Sequence, residues 1–154
     1  MNTHTIKKII AGAMLLSFLL GLAVAAKSPT PDSAEIQVSI LTYMVTNKPA
    51  NTSLVYFVEL QPDSLEVLKK QCGSAFQIHG TNELQRSTSG FVLRGANAPG
   101  VLLYLRPVEA HGDTAQARGV YHYGTPMGMS DSRYKLSRKN GKWHVISCEL
   151  VFAS

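Results

Sequence analysis

The stretch Y134-KLSRKNGKWHVISCELV-F152 decides how this chain is built. Asn140-Gly141 sits at its centre, and a two-residue type I′ turn needs such a pair because both central residues lie at φ > 0, where Gly has no steric cost and Asn little. Tyr134, Leu136 and Arg138 alternate with Lys135, Ser137 and Lys139 on one arm, while Trp143, Val145, Ile146, Leu150, Val151 and Phe152 make the returning arm rich in strand formers. The stretch is therefore expected to be a β-hairpin. With Asn140 and Gly141 at the tip, Arg138 should oppose Trp143, Leu136 oppose Val145, and Tyr134 oppose Ser147, all on the core face. Arg138 beside Trp143 reads as a guanidinium over an indole, worth about 0.5 to 1 kcal/mol when exposed. Beyond Ser147 the alternation breaks, so either a bulge switches faces or the last strand is covered on both sides.

Working outward, 154 residues allow one domain and a targeting segment. Residues 1–26 read as a signal peptide, with Lys7 and Lys8 at the start, an apolar run from Ile9 to Val24, and small residues at Ala23-Val24-Ala25-Ala26 for cleavage. Its removal takes two cations and no anion, so the net charge falls from +5 to +3. The mature chain is expected in the periplasm or outside the cell, with the membrane met only through that segment. Nucleic acid is an unsuitable partner for such a chain. The basic cluster Arg133, Lys135, Arg138, Lys139 and Lys142 reads first as a solvated hairpin tip that discourages edge pairing, and second as a contact for an anionic surface.

Residues 27–32, with Pro29 and Pro31, read as an extended leader, and 33–154 as a single domain. Asp32 and Glu35 have capping-box spacing before Ile36, Ile40, Tyr43 and Met44, which predicts a helix from Ser33 to Thr46. Alternation at Ile36, Val38 and Ile40 is the competing strand signal. Asn51-Thr52-Ser53 has the form of a glycosylation acceptor in the loop that follows. Leu54–Leu60 reads as a strand, and Asp63 with Glu66 as the cap of a second helix that Gly73 stops. Phe76–Ile78 and Phe91–Leu93 are expected to be short strands separated by a polar loop from Gly80 to Gly90. Val101–Glu109 follows as a doubly covered strand interrupted at Pro107, then Ala115–Tyr123 as its partner, and Gly124–Asp131 as a loop. The fold class is α+β, with N-terminal helices packed on a curved antiparallel β-sheet that ends in the C-terminal hairpin.

Cys72 and Cys148 survive processing, and in an oxidising compartment an even pair predicts one disulfide. It would close a loop of about 75 residues and stabilise by roughly 4 to 5 kcal/mol. Two buried free thiols are the alternative.

Val101–Glu109, Ala115–Tyr123 and the Asn140-Gly141-Lys142-Trp143 hairpin resemble the cone-shaped cystatin-like group, and within it the nuclear transport factor 2-like proteins. The resemblance covers the C-terminal half of the mature domain. It implies a pocket between sheet and helices, often a homodimer, and no single activity. Enzymes of that fold place Asp, His or Tyr inside the cone, which makes Tyr104, Tyr121, His122, Tyr123 and Glu149 the pocket candidates here. Tyr121 and Tyr123 share a face with Ala115, Ala117 and Gly119, a row that either floors a pocket or lets a helix pack closely. No Gly-x-Ser-x-Gly context supports a nucleophile, and no phosphate-cradling loop is present. His111 with Asp113, or His122 with Met127 and Met129, match no recognised metal-ligand set, so neither metal nor cofactor is expected. Three functions follow. The main reading is an exported non-catalytic module that binds a small apolar ligand or a protein partner; the others are a pocket enzyme using His122, Tyr121 or Glu149, and an immunity-type protein that docks onto another exported protein.

Overall fold

The computed structural model describes residues 31–47, 54–96, 98–124 and 128–154. The segment read as a signal peptide, 1–26, the motif read as a glycosylation acceptor, 51–53, and most of the segment read as a leader lie outside the described residues. Helix α1 spans Pro31–Thr46, and Ile36, Ile40 and Met44, spaced i, i+4, i+8, are all but fully buried. Helical spacing therefore wins over the strand-like alternation. Val38, Leu41 and Val45 are buried as well, because α1 is covered by the sheet on one side and on another by helix α2, Pro62–Cys72. A hydrogen bond from the Thr42 hydroxyl to Gln71 Oε1, 2.8 Å, ties the two helices.

Neither expected capping box forms. Helix α1 begins at Pro31, which puts Asp32 in its first turn, where it pairs with Arg138 at 3.2 Å. Helix α2 starts with Gln61 at the cap and Pro62 at the first position, where a missing N–H costs nothing, and Glu66 pairs with Lys69 instead of reaching back. Gly73 ends α2 as expected, at φ 80°, with its N–H on the Lys69 carbonyl.

Among the described residues nine strands form one mixed sheet: β1 Val55–Val58, β2 Gln77–Gly80, β3 Leu84–Ser87, β4 Gly90–Leu93, β5 Pro99–Leu105, β6 Glu109–His111, β7 Thr114–His122, β8 Met129–Lys139 and β9 Lys142–Ala153. The main path runs β2-β1-β5-β7-β8-β9. The sheet is not wholly antiparallel: β1 runs parallel to both β2 and β5, and α2 supplies the crossover that a parallel β1–β2 pair requires. The segment read as a polar loop is a hairpin, β3 to β4, with Thr88 and Ser89 at its turn. Glu109–His111 is a separate short strand beyond Pro107 rather than the end of the preceding one.

The helix-covered face carries the main core, with Ile36, Ile40 and Met44 of α1 meeting Val101, Leu103, Ala117, Tyr121, Tyr134, Leu136 and Trp143. The reverse face carries a smaller core of Val55, Phe57 and Phe91, closed over by Leu84, Leu93 and Leu102. Strand β5 is thus covered on both sides, as its apolar density implies. Its approach to β1 requires Gly100, since a Cβ there would collide with the Phe57 ring.

Candidate functional site

The ladder between β8 and β9 starts in the expected register, Lys139 opposite Lys142, Arg138 opposite Trp143 and Leu136 opposite Val145, with Asn140 at φ 52° and Gly141 at φ 75° in the turn. The Arg138 guanidinium carbon lies 5.7 Å from the Trp143 ring centroid. Two irregularities then insert an extra residue each. Lys135 pairs with Ser147, so Ile146 is extra, and Tyr134 faces Cys148 rather than Ser147; Asp131 pairs with Phe152 and Ser132 with Leu150, so Val151 is extra.

The consequence is a strand whose second half is covered on neither side. Ile146, Leu150, Val151 and Phe152 are 58%, 63%, 43% and 47% exposed, against 4% for Trp143. Strand β9 is also the last in the sheet order, and no strand pairs with its far edge among the described residues. From Val145 to Ser154 the one charged side chain is Glu149. Edge strands are normally blunted by charges, prolines or brevity, because their open N–H and C=O groups template pairing with another chain. Only the two bulges and Glu149 do so here.

The five pocket candidates do not converge. Tyr121 lies on the helix face, and its hydroxyl donates to the Met44 carbonyl at 2.6 Å. Burial pushes the Tyr121 and Tyr134 phenols far above the usual tyrosine range, so neither supplies a base. The row Ala115, Ala117, Gly119 packs a helix rather than flooring a pocket: a Cβ at Gly119 would stand 2.8 Å from Met44 Sδ and 2.7 Å from the Tyr134 ring. Tyr104 and His122 lie on the reverse face. The Tyr104 hydroxyl points to Met129 Sδ at 3.9 Å. His122 packs on Phe91 with ring centroids 5.1 Å apart, and its Nδ1 accepts the Gly124 N–H at 3.1 Å, which leaves Nε2 to carry the proton of the neutral ring. Tyr123 lies beyond the end of β7, partly exposed. Glu149 stands at the sheet edge, opposite Arg133.

The Cys72–Cys148 disulfide does not form, and both are free thiols. Cys72 is held in the core, where burial pushes its thiol up to about 11 despite a hydrogen bond with Thr42; Cys148 is exposed on β9 beside Tyr134. One therefore faces the helices from α2 while the other sits on the uncovered strand. Among the described residues no three His, Cys, Asp or Glu side chains come together as a metal site.

Sequence reasoning passed over the exposure of Ile146, Leu150, Val151 and Phe152. The broken alternation after Ser147 was its only trace. Comparison with protein families, with curated proteins and with solved structures returns no match for this chain.

Proposed function

We propose that this chain is an exported, non-catalytic binding module whose partner is a protein that adds an extended, apolar segment to the open edge of β9. The exposed run Ile146, Leu150, Val151 and Phe152 on a twelve-residue strand whose outer edge has no partner among the described residues carries the reading. Main-chain hydrogen bonds to the edge would supply affinity. Glu149 would select a segment with a cation opposite it. The small-ligand alternative is less well supported, because α1 fills the helix face of the sheet; so is the enzyme, because Tyr121, His122 and Glu149 are dispersed over two faces and three positions. The nuclear transport factor 2-like resemblance belongs to the same proposal, with the two β9 bulges as the features that would bend the sheet around α1.

A photo-crosslinking residue placed at Leu150 in the native host, with a second at Lys69 on α2 as control, tests this. A discrete adduct from Leu150 that Lys69 does not give, lost when Phe152 is changed to Lys, is the expected result. Equal labelling from both positions, or none from Leu150, overturns it. The intact mass of the recovered protein tests export, with a start near Ala26 or Lys27 expected.

A further inference from the structure

The face of the sheet opposite the helices carries three arginines abreast. The Arg106 N–H donates to the Arg118 carbonyl at 2.8 Å, and Arg118 is the direct cross-strand partner of Arg133. Like charges directly opposite one another on a sheet are destabilising. One carboxylate, Asp131, only 3% exposed, answers the middle of the row: Arg118 donates Nε to Oδ1 at 3.0 Å and Nη2 to Oδ2 at 2.5 Å. This fork-to-fork pair locks Arg118 in place. Arg106 reaches the same carboxylate only at 3.6 Å, and Arg133 reaches Glu149 only at 3.8 Å, with all three of Arg106, Arg133 and Glu149 well exposed. Pairs of that kind contribute little. Two guanidiniums thus flank a fixed third with most of their donor capacity uncommitted.

Between them lies a groove of about 340 Å³, lined by Arg106, Pro107, Glu109, Gln116, Arg118 and Arg133. Glu109 lines the groove one rung from the arginine row, opposite Gln116, whose amide engages it at 2.6 Å, and Glu149 stands at the β9 end of the row. A carboxylate beside the row and another at its end repel a long polyanion or a lipid surface but leave the centre open to one small anion. Pro107 adds an apolar wall.

We propose that this groove binds a small oxyanion, a carboxylate or phosphate carried on a compact body, held bidentately between Arg106 and Arg133 over the fixed Arg118. The site meets the β9 edge only through the Arg133–Glu149 contact, and its test needs nothing docked on that edge.

Calorimetric titration of the folded protein at low ionic strength with inorganic phosphate, and separately with benzoate, tests the assignment. Saturable binding of at least one is expected, with phosphate-only or benzoate-only binding each identifying the anion class. Arg106→Gln and Arg133→Gln should each weaken it about tenfold or more, Arg133→Lys should fall between, and Lys69→Gln, on α2, should leave it unchanged. Arg106 and Arg133 are exposed, and an unchanged melting temperature verifies that the variants fold. No saturation of either anion by about 10 mM, or equal binding by the two Gln variants and the parent, overturns the proposal.

Discussion

The two halves of β9 share one partner strand, and the outer half is the richer in apolar residues, yet only the inner one is part of the core. Trp143 and Val145 lie under α1, and the Ser39 hydroxyl donates to the Trp143 carbonyl at 3.2 Å. Five residues beyond Val145, Leu150 is 63% exposed. Composition alone does not account for this. The difference lies in reach: α1 is sixteen residues long, about 24 Å at 1.5 Å per residue, and it crosses β7 and the start of β9 without extending over the strand's end. A hydrophobic side chain stabilises the fold only where something else packs against it. The remainder is surface, available to a second molecule.

The contrast can be tested to destruction. Trp143→Ala should cost about 3 to 5 kcal/mol in denaturant unfolding, reduced somewhat because the buried indole N–H, which has no hydrogen-bond partner among the described residues, goes with it. A loss below about 1 kcal/mol would mean the first half of β9 is no better covered than the second. The cysteines sharpen the comparison chemically. Cys148 should be alkylated at once at pH 8, whereas Cys72 should react only as the protein unfolds. Because burial raises the native Cys72 thiol to about 11, its contribution is present below the ordinary value of 9.0 and is lost as pH rises toward 11. The raised phenols of Tyr56, Tyr121 and Tyr134 act with the same sign, so the denaturant midpoint should fall between pH 8 and 10.5. At the turn that joins β8 to β9, Gly141→Ala forces a Cβ into φ 75° and should cost about 1 kcal/mol by the same unfolding assay. Smallest of all, Leu150→Ser should change folding stability by no more than about 0.5 kcal/mol while improving solubility at high concentration. A large loss there would show that the end of β9 is packed after all.

Much of the scaffold was legible because local chemistry determines it. Asn140-Gly141 tolerates the two positive-φ positions that the tight turn needs, Gly73 stops α2, and Pro107 breaks β5 from β6. Features that depend on distant neighbours were not legible. The parallel pairing of β1 with β2 and β5 is a property of three separate segments, and no local pattern in Val55–Val58 distinguishes it from an antiparallel edge. The polar residues of β3 read as loop because Gln85, Arg86 and Ser87 are exposed, and strand formation there comes from the partner β4. Candidate residues were chosen for their chemistry, and alternation placed Tyr121 and His122 on opposite faces correctly. Alternation could not reveal that a helix seals one face at Gly119, nor that Asp131, in a segment read as loop, is the buried anchor of Arg118.

The packing of α1 also governs when the chain can fold. Its partners Tyr121, Tyr134 and Trp143 lie 77 residues or more further along, as the Tyr121–Met44 and Ser39–Trp143 bonds record. A ribosome delivers α1 first and its lid last. Until β5, β7, β8 and β9 have all emerged, Ile36, Ile40 and Met44 lack the complete sheet they rest on, so the domain cannot mature in instalments. Such long-range closure places it among slow, all-at-once folders, whose unfinished chain a chaperone can hold and a membrane pore can thread.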